Sequence, residues 1–533
     1  MVCYGEVAGA GRPGRRSARG VATLAVGVSL LATIGLPASA SAATTRASNA
    51  HRVNAASGST FVVADTSSVQ KLDPDVVTNF LDFQALGLIY DQLVQYNTKL
   101  QLVPDLATSW AYSDGNRLLT FQLRKGVTFD DGTSFTSANV VASLDRATAP
   151  KTGDASASFL ANVKKIVATG PYSVEFQLSQ PDTSILDGLT SVNLSILSTK
   201  AIASGTVAKT PDGTGPFQFS SWSPGNTFVM TANPYYWGGK VSLGSVKIET
   251  IPSEQSIASA VEANTAQLGL LTEPQVATHL PGSIKVQTVL DLTYRALMLQ
   301  DKSGPLANVD NRLAIACAVN RKQVLEDAVF GAGQIVGPVP LGQYASNPVS
   351  AVCPATNVGS AKSYLQKAGN PKGFSFTALT STDLDPTSAA QATVVQSDLA
   401  KAGIKMNIQN LAGDAYIQDW LKGTFQAAFA WNGADPNPYT MYGRYFGAGA
   451  NLGVPAGYSS TQLQKLLLQG DTATGASQKS IWTQFSNQLT SNAVWIWLFT
   501  AYDYAVLAPS VHGFTLAPTN STSLDALRST TNS

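Results

Sequence analysis

Chemistry in this 533-residue chain would have to come from few residue types. The three histidines, His51, His279 and His512, stand far apart in sequence. Neither a G-x-S-x-G nucleophile elbow nor an H-E-x-x-H zinc motif occurs, and no Cys/His cluster supports a structural zinc site. Asp and Glu are scattered, so a carboxylate pair of the glycosidase kind has no local signature. The most suggestive stretch is noncovalent in character. Trp431 and Asn432 end an apolar run from Ala427, and Asp435 follows in a loop closed by Pro436, Asn437 and Pro438. Trp431 and the loop from Asn432 to Tyr439 follow the end of a strand, where a ligand would sit, and Thr380 with Ser381 end an earlier strand in the same way. The same residues also read more plainly, as a turn rich in Asp and Pro and as a core aromatic capping a sheet. No metal and no cofactor is expected.

These residues depend on an alternating frame. Phe374 to Leu379 reads as a short strand, Ala389 to Ala402 as a helix stopped by Gly403, and Ile404 to Ile408 as another strand. A further helix around Ile417 to Leu421 and a strand from Ala427 to Trp431 continue the pattern. Strand-helix-strand units of this kind build parallel sheets, and ligands bind such sheets beyond the carboxyl ends of the strands. Trp431 and Thr380 occupy those ends. Elsewhere, Leu119, Phe121 and Leu123 alternate with polar residues, as do Val174, Phe176 and Leu178, giving half-buried strands. Thr136 or Ser137 can cap a helix carrying Val140, Val141 and Leu144.

At this length two or three domains are the default expectation. Net charge is +1 and charged residues make up 13%, so no global field draws the chain to nucleic acid. Residues 1–42 read as a signal peptide: Arg12, Arg15, Arg16 and Arg19 precede the apolar run Val21 to Leu36, and small residues follow at Ala38 to Ala42. Residues 43–58 read as a flexible leader. Removal of the signal discards Cys3 and leaves Cys317 and Cys353, either as a disulfide or as two buried thiols. A bridge would suit an oxidising compartment and contribute about 4 kcal/mol.

The order of motifs carries a resemblance. Pro104-Asp105-Leu106-Ala107, Trp110, Leu123-Arg124-Lys125-Gly126, Phe129 and Asp131-Gly132-Thr133 occur in succession. Gly213-Thr214-Gly215-Pro216-Phe217, Trp222 and Asn233-Pro234-Tyr235-Tyr236-Trp237 follow, then Asp310-Asn311-Arg312 and His512-Gly513-Phe514. The chain resembles the family 5 solute-binding proteins of peptide- and nickel-type ABC importers over nearly all of residues 60 to 517. The resemblance implies an α/β, two-lobed, hinged periplasmic-binding-protein-like fold, of type II with an extra subdomain. Lobe I would take residues 59–95, 205–290 and 498–525, the extra subdomain 96–204, and lobe II 291–497. A helix is expected over Leu86 to Tyr96.

The implied function is capture of a peptide or other small solute and delivery to ABC permease subunits. The protein would be a monomer at the outer face of the cell membrane, without catalysis and without a lipid-anchor cysteine after the apolar run. An oligosaccharide or another solute, a sensor partner and, in another class, a secreted hydrolase are the rival readings. Relatives hold the ligand's α-amino group with an Asp three residues after the Trp. Here Ala434 occupies that place and Asp435 lies one residue later, so an amine-binding role for Asp435 needs a local shift.

Overall fold

The computed structural model describes residues 60–533 except 155, 340–351, 433–435, 449, 451, 474 and 519–523. The expected signal peptide, leader and Asp435 lie outside the described residues. Alternation is realised directly in the strand Leu118–Leu123, which buries Leu119, Phe121 and Leu123. It pairs antiparallel with Ala107–Ser113 and Ser173–Leu178, and Val163–Gly170 completes a four-stranded sheet. The helix Ser137–Thr148 packs Val140 and Leu144 into the same apolar core. Its start is fixed by the Asn139 side chain, which accepts the Thr136 N–H at 2.9 Å, a reciprocal capping arrangement.

An eleven-stranded sheet organises the rest. Its order is Lys405–Asn410, Ser375–Thr380, Ala427–Asn432, Lys285–Leu299, Trp495–Leu507, Leu268–Leu271, Phe61–Asp65, Ser245–Thr250, Thr227–Ala232 and Phe217–Ser223, with Gly333–Gln334 also on Trp495–Leu507. At one end Ser375–Thr380 runs parallel to both neighbours. At the other, Phe61–Asp65 runs parallel to both of its own. Between them Lys285–Leu299 and Trp495–Leu507, 15 and 13 residues long, run antiparallel and join the two halves. One apolar core gathers around Phe61–Asp65. Others form on opposite faces of the far half, around Phe376 and Leu399 and around Trp482 and Trp495.

The central pair is irregular where it passes between the halves. Leu290 faces Tyr502, but the next paired residue, Tyr294, faces Thr500, so Asp291, Leu292 and Thr293 bulge against Ala501. A second shift separates Arg295, opposite Phe499, from Ala296, opposite Trp497. Bulges bend a strand and re-aim its side chains.

The unit Ser375–Thr380, helix Ser388–Ala402 and Lys405–Asn410 forms as the periodicity predicts, and Gly403 ends the helix at φ 92°. Leu86 to Tyr96 does not form a helix. The helix lies earlier, at Phe80–Leu86, and Val94–Tyr96 is a strand. Tertiary partners take the carbonyls a helix would use: Leu88 and Ile89 accept from Phe217 and Gly215, and Gln92 and Leu93 from Leu106 and Ala107. Cys317 and Cys353 are bonded to each other, their Cα atoms 5.1 Å apart.

Candidate functional site

The parallel strands Ser375–Thr380 and Ala427–Asn432 end side by side, and their last residues divide between the two faces of the sheet. Thr380 is buried and donates from Oγ1 to Asn410 Oδ1 at 3.1 Å. Ser381 is 1% exposed, and its Oγ has no partner. Asn432 accepts the Tyr445 hydroxyl at Oδ1, while its Nδ2 is buried without a partner. Trp431 is half-buried and stands outside the apolar cores of the described residues. The structure thus brings Thr380, Ser381, Trp431 and Asn432 to one end of the sheet; Asp435 lies outside the described residues.

Tertiary structure adds residues that the sequence reading missed. Arg295 lies directly opposite Trp431, so the two side chains share a face. Its side chain is 18% exposed, with Nε 3.9 Å from Asp385 Oδ2 and the guanidinium carbon 5.8 Å from the Phe499 ring centre. Asp385 accepts the Thr387 N–H at 3.0 Å, the Thr387 hydroxyl at 2.6 Å and Gln391 Nε2 at 3.0 Å. Asp291, in the bulge, and Asp503 approach from the central pair. Burial, then the charge of Asp291, pushes the Asp503 carboxyl well above the usual carboxylate range. The available signal was a lone arginine in the apolar run from Tyr294 to Leu299.

A polar seam crosses from the unit built on the four-stranded sheet to the far half of the large sheet. Ser184 N–H donates to Asp471 Oδ1 at 2.9 Å, and Thr183 N–H to the Asp471 carbonyl at 3.2 Å. Asn437 caps the helix Pro438–Phe446 through Oδ1 and donates from Nδ2 to Asp187 Oδ2 at 2.5 Å. Tyr96 also donates to Asp187. Asp182, Asp187 and Asp471 are all buried here. Desolvation pushes Asp471 up to about 8 and Asp187 to about 6.

Among the described residues, no group of three or more His, Cys, Asp or Glu side chains is placed to hold a metal ion. No described helix is long and apolar enough to cross a membrane. The arrangement offers hydrogen-bonding and charged groups beside an aromatic plane, a chemistry of binding.

Known proteins share this architecture. The chain is 28% identical over 478 residues to the probable D,D-dipeptide-binding periplasmic protein DdpA of Escherichia coli, covering 86% of this chain and 91% of that protein. It is 25% identical over 540 residues to heme-binding protein A of Haemophilus influenzae, with coverages of 93% and 96%. The solved structure of the ABC transporter-associated periplasmic binding protein DppA from Helicobacter pylori, in complex with peptide STSA, superposes with a TM-score of 0.69. That likeness covers 88% of this chain and 97% of the other at 25% identity. Residues 101–453 match the model of bacterial extracellular solute-binding proteins, family 5, and with the hinged two-half α/β fold this shows that the chain belongs to that family.

Proposed function

We propose that this protein captures peptides between its two lobes outside the cytoplasm and delivers them to the permease of an ABC importer. The observation that carries this reading is the cluster at the strand ends, where Trp431 stands half-buried and Ser381 Oγ and Asn432 Nδ2 lack partners. Buried polar atoms without partners are costly, and a peptide backbone supplies both donors and acceptors. DdpA, named for dipeptides, and the peptide-bound Helicobacter protein support the same ligand class. Ligand bridging the two sides favours closure only through contacts the open form lacks, and the closed form is what a permease would recognise.

Separate apolar cores support a division into two lobes and a subdomain, with Val192, Leu197 and Ala201 joining the lobe I core and Leu93 and Val94 that of the subdomain. The protein works as an exported monomer, and Asp435 receives the ligand's amine. The test is mass spectrometry of the small molecules released on denaturing the purified exported protein, followed by titration of Asp435→Ala. Short peptides in the released fraction, and a greater loss of affinity for free-amine than for N-acetylated peptides, are expected. A released saccharide or haem overturns the peptide assignment, and equal losses remove Asp435 from the amine-binding role.

A further inference from the structure

We propose that Arg295 is the residue that receives a carboxylate of the ligand, making this a site for small molecules that carry that group; the inference rests on the solute-capture reading above. Arg295 is largely buried, yet its Nε has no hydrogen-bond partner. Its nearest carboxylate oxygen, on Asp385, is 3.9 Å away, beyond hydrogen-bonding distance. Arg312, Arg321 and Arg146 do not behave so. Arg312 donates to the carbonyls of Leu306, Ala307 and Asn492, Arg321 to those of Ala316 and Trp497, and Arg146 to Asp73 and Asp75. A buried N–H without an acceptor is unfavourable unless something supplies one.

The surroundings hold the charge in place without taking up its Nε–H. Asp385 directs its hydrogen-bonding capacity to Thr387 and Gln391. Among the described residues, neither Asp291 nor Asp503 forms an ion pair with the arginine. Burial and then the charge of Asp291 raise the Asp503 carboxyl, and the charge of Arg295 opposes them. The Phe499 ring backs the guanidinium, an attraction that occupies no N–H. Register shifts flank the residue on both sides, at Leu290/Tyr294 and at Arg295/Ala296, and its cross-strand neighbour is Trp431. The strand is therefore distorted where it presents Arg295 beside the end of Ala427–Asn432. A guanidinium presents paired donors that match a carboxylate in bidentate fashion, which a lysine cannot reproduce.

The experiment is calorimetric titration of the exported protein, of Arg295→Met and of Arg295→Lys. The panel holds dipeptide and tripeptide free acids, the matching C-terminal amides, sugar acids and the matching neutral sugars. Circular dichroism and melting temperature report the folding of each variant, and the lysine variant preserves the charge should the methionine variant not fold. Free acids are expected to bind the wild type far more tightly than amides. Arg295→Met should lose about 30-fold or more for the acids, with Arg295→Lys in between and little change for amides. Equal binding of acids and amides by the wild type, or undiminished acid binding by folded variants, overturns the proposal. Binding of sugar acids but not peptides, with the same loss in Arg295→Met, upholds Arg295 and overturns the peptide reading. Binding of neutral sugars alone overturns both.

Discussion

Replacing Asp471 with Asn should stabilise the protein, and by more at neutral than at acid pH. The carboxyl is fully buried at the polar seam, accepts the Ser184 N–H at one oxygen and leaves the other unpaired. Desolvation is the main cause that raises its pKa from 3.8 to about 8, with the charges of Asp182 and Asp187 adding to it. The native state therefore holds a proton that the unfolded chain releases between those two values. Stability falls as pH rises through that window, and the penalty is complete above about 8.

At about 1.4 kcal/mol per pH unit, the penalty is at most about 4 kcal/mol at pH 7, and roughly a third to a half of that at pH 5. Asn keeps the acceptor for Ser184, removes the charge and turns a donor toward the acidic neighbours. A chain of this size has an unfolding entropy of roughly 1 kcal/mol/K, so the gain corresponds to about 4 °C at pH 7. Melting curves of wild type and Asp471→Asn, each at pH 5 and pH 7, isolate this residue from other titrating carboxylates. An equal shift at both values, or a lower melting temperature for the variant at pH 7, would refute the reasoning.

Removing the Cys317–Cys353 bond, by reduction or by the double substitution to Ala, frees a loop with a sequence separation of 36 residues. The chain-entropy model gives about 4 kcal/mol, again about 4 °C, and an unchanged melt in reductant would show that the bond contributes nothing measurable. Gly213→Ala would place a Cβ 2.0 Å from the Ile89 carbonyl oxygen. We expect a loss of about 2–3 kcal/mol from that overpacking, checked by thermal melting; wild-type stability would mean that the neighbouring loop yields freely.

Much of the frame was legible because its elements satisfy themselves locally. Alternation at Leu119, Phe121 and Leu123, the helix stop at Gly403 and the strand-helix-strand order from Phe374 to Ile408 report burial and turn geometry within a few residues of each other. Leu86 to Tyr96 was misread for the opposite reason. Its apolar spacing permits a helix, but its carbonyls are taken by residues more than ten and, in some cases, more than a hundred positions away.

The sequence by itself placed Thr380, Ser381, Trp431 and Asn432 at strand ends, because the ends of parallel strands can be located from periodicity. It also narrowed the cysteines to a single pair. Tertiary structure alone decided that Arg295 lies opposite Trp431 between two bulges, that Asp291 and Asp503 approach it, and that Asp471 meets the segment from Asp182 to Asp187. Register between distant strands, and contact between separately folded units, follow from how separate apolar faces pack together, and no local pattern of residues encodes that pairing.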